Sequence, residues 1–281
     1  MMPDMSSMYQ CIDTHAHVNL SQFDADRDEV LMRTVAERVA HINVGTRKET
    51  SEKAVEIARA HELAWAIVGL HPLEVIGDDP DEKDRRAPER EFDSEFYRTL
   101  VAEPKVVGIG ECGFDYFHHG DATYELQREM FEAQIALANE VGKPLMLHLR
   151  NGKGADSRNA YDDALAILKE KAKVRGNAHF YAGTWEQAKQ FFDIGFTISF
   201  TGVITFTHDY DEIVKNTPLE MLHAETDCPY VAPIPHRGKR NEPPYVQEVY
   251  KKIAEIKGED EETVRIQLLD NAKKSYRLLG V

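Results

Sequence analysis

Five short apolar runs in this chain each end in a residue that can hold a metal ion: residues 11–17 ending at His15 and His17, 106–111 at Glu111, 144–148 at His148, 176–179 at His179, and 222–227 at Asp227. A single histidine after a strand is common. Imidazoles and carboxylates delivered repeatedly to the same end of parallel strands converge in space and form a site. The pattern predicts a metallohydrolase.

His15 and His17 are spaced i and i+2. On a strand they face one side about 6.6 Å apart, at ~3.3 Å per residue, and one ion can take both. A lone His-x-His is equally compatible with two unrelated histidines at a strand end, but these follow an apolar run expected inside the protein, where an imidazole without a partner is costly. Glu111 ends a still more apolar run, so its charge needs a metal or a neighbouring Arg or Lys; with metal, its two oxygens can bridge two ions about 3.5 to 4 Å apart. His148 and His179 offer nitrogens for a second ion, although either alone could be a hydrogen-bonded core histidine. Asp227, followed by Cys228 and Pro229, can ligate and accept the proton of an attacking water, or cap the next segment. His71, in Gly-Leu-His-Pro, is expected to touch substrate or leaving group, with a role behind the ligands as the alternative.

Bringing these residues to one rim requires strands separated by helices. Strand-like runs fall at 10–18, 39–45, 64–70, 105–110, 143–150, 177–181, 197–201 and 221–226, and helical patterns at 24–37, 51–61, 92–101, 124–141, 161–172, 185–194, 210–215, 245–257 and 261–279. Gly142 and Pro218 sit where helices should stop. Eight strands alternating with helices predict an α/β protein, a (β/α)8 TIM barrel with extra C-terminal helices, as one domain over residues 1–281; that length is close to the ~250 residues such a barrel needs. An open doubly wound sheet of six or seven strands is the alternative. Residues 77–95, crowded with acids and Arg, read as an exposed excursion, and 232–244 as a Pro-rich basic loop.

With Lys plus Arg at 34 and Asp plus Glu at 49, the net charge is −15, which argues against a general affinity for polyphosphate backbones. Contact with nucleic acid must therefore be local, built from metals and a few placed cations. No apolar run approaches the ~18 to 20 residues of a membrane span, and the first residues lack the basic stretch and apolar core of a signal peptide. The expected location is cytoplasmic, away from membranes. Cys11, Cys112 and Cys228 are too few and too far apart for a disulfide framework or a zinc finger.

In order along the chain stand Asp-Thr-His-Ala-His at 13–17, Gly-Leu-His-Pro at 69–72, Gly-Glu-Cys-Gly-Phe-Asp at 110–115, Pro-Leu-Met-Leu-His-Leu-Arg at 144–150, His-Phe-Tyr-Ala-Gly at 179–183, Ser-Phe-Thr-Gly at 199–202, Glu-Thr-Asp-Cys-Pro at 225–229 and Arg-Asn-Glu-Pro at 240–243. On these motifs the chain resembles the TatD-related metal-dependent deoxyribonucleases, a branch of the amidohydrolase-like barrels, from about Ile12 to the final helix. The resemblance implies that His15, His17 and Asp227 hold one ion, that His148 and His179 hold the other, and that Glu111 bridges them. It also implies hydrolysis of DNA phosphodiesters, often exonucleolytic from the 3′ end and on single strands or strand ends. Sister amidohydrolases commonly bridge with a carboxylated lysine; Glu111 in that place favours the nuclease branch. The chain departs from the family in a longer Gly-rich stretch at 151–159 and a longer acidic excursion at 77–95, both of which bear on substrate choice.

The chemistry expected is attack of water on phosphorus, with two ions lowering the pKa of a shared water and neutralising charge on the phosphate while Asp227 takes the proton. Arg150 follows His148 by two and should face the same side, and Arg237, Lys239 and Arg240, with His236, lie in the loop past the last strand where they could clamp a flanking phosphate; a solvated charge run is the plainer reading of that cluster. Four imidazoles with carboxylates suit zinc, manganese or nickel, and a phosphate substrate admits magnesium; the expected cofactors are two divalent ions, Mg2+, Mn2+ or Zn2+. Two rivals remain: a small-molecule amidohydrolase, lactonase or phosphotriesterase using the same metals, which the charge of −15 favours, and a non-catalytic metal-binding partner protein.

Overall fold

The computed structural model describes residues 9–75, 77, 87–118, 120–154 and 157–278. Strands β1 (Cys11–Ala16), β2 (Val39–Val44), β3 (Ala64–Val68), β4 (Val106–Asp115), β5 (Leu145–Arg150), β6 (Gly176–Ala178), β7 (Thr197–Phe200) and β8 (Leu222–Ala224) form one sheet in the order β1 to β8, and each pair of neighbours is parallel. The sheet nearly closes on itself just past β8, where Asp227 N–H donates to His15 O and His17 N–H to Cys228 O, both at 2.9 Å. The architecture is the (β/α)8 TIM barrel.

Helices α1 (Arg27–Ala36), α2 (Lys48–Ala60), α3 (Ser94–Val101), α4 (Tyr124–Val141), α5 (Ala160–Lys171), α6 (Trp185–Asp193) and α7 (Asp211–Asn216) connect the strands, and α8 (Val246–Lys257) and α9 (Glu261–Tyr276) follow the last. The helix stops have local causes: Gly142 closes α4 and Gly258 closes α8 in the left-handed conformation, at φ 66° and 68°, which costs glycine no Cβ clash. Thr184 opens α6 with a capping box to Gln187. Tyr250 of α8 both donates to Ile12 O and accepts from Ile12 N–H, tying that helix to β1. Leu269, Ala272 and Tyr276 of α9 pack with Ile12, Ile42, Ile67 and Met146, and Asn271 donates to the carbonyls of Leu219 and Leu222. No helix among the described residues is long and apolar enough to cross a membrane.

The main departure from the expected elements is β4, which runs to Asp115 instead of stopping near Gly110. Its register with β5 shifts between Ile109 and Cys112. Glycines make the close approach possible: Gly110 has φ 146° and a Cβ there would sit 2.5 Å from Met146 O, while at Gly113, φ 138°, it would sit 2.3 Å from His148 O. The irregularity re-aims Glu111 and continues the strand to place Asp115 at the same rim. Conversely β1, β6 and β8 end at Ala16, Ala178 and Ala224, earlier than expected, so His17 and His179 are the first residues beyond their strands and Asp227 the third. Of the excursion at 77–95, residues 78–86 lie outside the described residues, as do 155 and 156 of the 151–159 stretch.

Candidate metal centre

His15, His17, His71, Glu111, His148, His179 and Asp227 come together at the C-terminal ends of the strands, and all but His15 line one cleft of about 510 Å³. His15 lies beneath, fully buried, its ring stacked on that of His179 at 3.8 Å. Asp13 supports it from below: its carboxylate accepts from His15 N–H at 3.2 Å and from Thr226 N–H at 2.9 Å, which also fixes β1 against the segment carrying Asp227.

Glu111 is the hub. Its Oε2 lies 3.3 Å from His15 Nε2 and 3.7 Å from His17 Nε2. Its Oε1 lies 2.7 Å from His179 Nε2, 2.8 Å from His148 Nδ1 and 3.5 Å from His71 Nε2. Each carboxylate oxygen thus serves a different set of imidazoles, and no Arg or Lys is paired with Glu111 among the described residues. Asp227 Oδ1 joins the first set, 3.4 Å from His17 Nε2 and 3.8 Å from His15 Nε2. Asp227 holds this place with a left-handed backbone, φ 53°, an uncommon conformation for a residue other than glycine.

Hydrogen bonds fix which nitrogens face inward. His17 Nδ1 is 2.8 Å from Val44 O; a carbonyl cannot donate, so Nδ1 carries the hydrogen and Nε2 presents its lone pair. That nitrogen is 3.0 Å from His15 Nε2, while His15 Nδ1 is buried without a hydrogen-bond partner among the described residues. Two imidazole nitrogens and two carboxylate oxygens therefore converge on one point, a donor set that fits a divalent cation of the zinc, manganese or magnesium kind. His148 Nδ1 and His179 Nε2 lie on the other oxygen, 2.8 and 2.7 Å from Glu111 Oε1, and His179 also stands close enough to His15 and Asp227 to enclose an ion with them. His71 differs: Leu73 N–H donates to its Nδ1 at 3.2 Å, which leaves the ring hydrogen on Nε2, facing Glu111. Its donor geometry suits it to give a hydrogen bond rather than to ligate, even though His71, Glu111 and His148 lie close enough to enclose an ion.

The titration behaviour follows from the same contacts. Burial raises Glu111, but the imidazolium of His179 more than offsets it and holds it well below the usual carboxylate range; Asp227 is likewise lowered despite burial, by the imidazoles facing it, His17 first. Burial alone would lower His148, yet its bonds to Asp115 and Glu111 raise it to about 9. His71, desolvated and beside the charge of His148, is pushed down to about 3 and stays neutral.

Two carboxylates that the sequence reading left out hold the imidazoles in place. Asp115 Oδ2 lies 3.1 Å from His148 Nε2, and its Oδ1 accepts from the N–H groups of Phe117 and His118. Glu225 Oε1 accepts from Phe180 N–H at 2.6 Å and stands 3.4 Å from His179 Nδ1, while Oε2 accepts from Ser199 Oγ at 2.7 Å. The network continues through Asn177 Nδ2, which donates to Ser199 Oγ at 2.7 Å. Asp115 ends the motif Gly-Glu-Cys-Gly-Phe-Asp and Glu225 begins Glu-Thr-Asp-Cys-Pro, but their partners His148 and His179 come from other strands, one and two positions away in the sheet, and spacing alone does not show them.

The expected cation cluster separates. Arg150 lines the cleft. Arg240 does not: it donates to both oxygens of Asp26, at 2.8 and 2.6 Å, to Gln22 O and to Glu242, and it covers the ring of Phe23. A guanidinium neutralised by two carboxylates is spent on anchoring the loop, so the expectation of a phosphate clamp at Arg240 is corrected. Asn241 completes that anchor by donating to Thr226 O and Tyr230 O. Lys239 is exposed and does not line the cleft, and His236 stacks on Tyr245 at 3.7 Å in a separate groove. Arg237 lies over Phe206 and donates to Ala232 O, and it does not line the cleft.

Comparison with known proteins gives the class first. The chain is 38% identical over 271 residues to an uncharacterized metal-dependent hydrolase of Bacillus subtilis, YabD, covering 95% of this chain and 98% of that one, and it has the fold of the TatD homologue YjjV of Escherichia coli K12, with a TM-score of 0.82, 24% identity and coverage of 96% and 99%. It is a metal-dependent hydrolase. The family model described as TatD related DNase matches residues 12–277, and the chain belongs to the TatD family. Another relative, 31% identical over 274 residues with 94% and 97% covered, is the 3′-5′ ssDNA/RNA exonuclease TatD of Klebsiella pneumoniae.

Proposed function

We propose that this protein hydrolyses phosphodiesters of DNA at the ends of single strands, from the 3′ end, using two divalent ions. The observation that carries the reading is the division of Glu111: Oε2 faces His15 and His17, and Oε1 faces His148 and His179. A carboxylate split between two imidazole sets is the arrangement of a bridging ligand, with His15, His17 and Asp227 on one side and His148 and His179 on the other. Two ions held there would supply a water of lowered pKa and neutralise charge on the phosphate oxygens.

The chain's own groups supply the rest. Asp227 lines the cleft with its carboxylate held ionised, placed to accept the proton of the attacking water. His71, neutral, directs an N–H toward the cleft and can donate to a phosphate oxygen whose charge grows in the transition state. Arg150 lines the cleft and is available to a flanking phosphate of the substrate. Support for nucleic acid as substrate comes from the Klebsiella pneumoniae relative named as a single-strand exonuclease. The net charge of −15 supports the small-molecule hydrolase instead.

The test is to incubate metal-stripped protein with end-labelled single-stranded DNA, adding magnesium, manganese or zinc in turn, with His15→Ala and Glu111→Ala alongside. Metal-restored shortening that both variants lose is the expected result, and the ladder of products reports polarity. Metal binding without loss of DNA, together with turnover of lactones or small phosphate esters, would transfer the site to the small-molecule reading.

A further inference from the structure

Several cations in this acidic chain are neutralised where they stand: Arg33 by Glu242, Arg47 by Glu74, Arg98 by Glu140, Arg158 by Asp163 and Arg240 by Asp26. Arg150, in the lining of the cleft, and Lys153, three residues further along the chain, are held differently. The guanidinium carbon of Arg150 lies 3.9 Å from the centroid of the Phe117 ring, and Lys153 Nζ lies 3.9 Å from the same centroid. Both side chains are exposed, and neither has a carboxylate partner among the described residues.

An aromatic ring holds a cation through its quadrupole and leaves the charge uncancelled. Gathering two like charges on one ring, each within twice 3.9 Å of the other, raises the local positive potential and favours an anion that approaches them. The arrangement is also tied to the metal centre. Phe117 N–H donates to Asp115 Oδ1 at 2.9 Å, and the other oxygen of that carboxylate is 3.1 Å from His148 Nε2. Arg150 ends β5 two residues beyond His148. The ring and its two cations are thereby held at a fixed place beside the imidazoles, on the β4–β5 side of the cleft.

We propose that Arg150 and Lys153, gathered on Phe117, form a second phosphate subsite that holds the phosphodiester next to the one presented to Glu111, so that the substrate is an oligonucleotide strand with successive phosphates. This rests on the nuclease reading above and specifies it. A ligand with one phosphate occupies the metal centre and leaves the subsite empty; a strand with two engages both. Phe117 acts as a positioning residue, through the cations it gathers.

The experiment compares the manganese-loaded protein on a thymidine dinucleotide, which has one phosphodiester, and a trinucleotide, which has two. Wild type is expected to show kcat/KM about tenfold higher on the trinucleotide, through KM. Lys153→Ala and Phe117→Ala are expected to lose most of that advantage, with kcat on the trinucleotide little changed, and Phe117→Tyr, which keeps a ring, to retain it. Removing Lys153 should also flatten the slope of log kcat/KM against log salt on a longer single strand by about 0.7. Equal kcat/KM on the two substrates, or an advantage that survives in both variants, overturns the subsite while the nuclease reading stands. Failure of wild type to cut the trinucleotide or any longer strand overturns the nuclease reading, and the subsite with it.

Discussion

Glu225 stands directly behind His179: its Oε1 is 3.4 Å from Nδ1, while Nε2 on the far side of the ring is 2.7 Å from Glu111. The imidazole therefore lies between two buried carboxylates, one aimed at the cleft and one into the barrel. A carboxylate in that position fixes the tautomer and the plane of a ligating ring and raises its basicity. Removing its charge should weaken metal binding without changing any ligand. Glu225→Gln is expected to lower affinity for one of two bound ions about 10- to 100-fold, and Ser199→Ala, which removes the donor to Glu225 Oε2, to do so more weakly. Titration of metal-stripped protein with zinc against a chelator of known affinity checks both; unchanged affinity in Glu225→Gln would remove Glu225 from this role.

His71 is expected to matter for turnover and not for metal content. Its Nδ1 is already used to accept from Leu73 N–H, so the Nε2 hydrogen is what it offers the cleft. His71→Ala should bind the same number of ions and lose kcat by about 100- to 1,000-fold, the scale of one lost transition-state hydrogen bond. His71→Gln, which can present an amide N–H, should recover part of the loss. Metal analysis beside steady-state kinetics separates this from ligation, since a ligand's loss would lower the metal content too.

Arg240 gives the opposite signature. Its pairing with Asp26 and Glu242 joins the loop after β8 to α1, and Arg240→Ala is expected to lower the melting temperature while KM on a single strand stays within about twofold of wild type. Exposed pairs contribute only a few tenths to about 1 kcal/mol each, so the shift should be a few degrees. The bond to Arg240 lowers the Asp26 pKa in the folded protein. The stabilisation is therefore complete above the unfolded value, about 3.9, and fades as pH falls through the lower folded value. The gap in melting temperature between wild type and Arg240→Ala should narrow only below about pH 4, which thermal scans across an acid series would show; a gap that persists at the acid end would assign the loss to packing on Phe23.

The barrel and the six residues gathered around Glu111 were legible because each ends an apolar run, and parallel strands send such ends to a common rim. What was not legible depends on contacts between distant segments or on departures from strand alternation. Asp115 was hidden because the Gly-Glu-Cys-Gly sequence looks like the end of a strand, whereas glycines at 110 and 113 let the backbone pass close to β5 and continue. Glu225 follows strand β8 and its partner His179 follows β6, two strands away. Arg240 looked available because its counter-charge, Asp26, comes from the other end of the chain. Phe117 and Lys153 carried no motif at all; their meaning is in the shared ring.

The proposed chemistry depends on Glu111 bridging two ions. Electron paramagnetic resonance of the manganese-loaded protein tests it directly, since ions about 3.5 to 4 Å apart across a carboxylate couple magnetically and isolated ones do not. The expected result is an exchange-coupled spectrum for two manganese ions per chain in wild type, replaced in Glu111→Ala by the six-line pattern of isolated ions at reduced content. A wild-type spectrum of isolated manganese only, or coupling that survives in Glu111→Ala, would contradict the bridge.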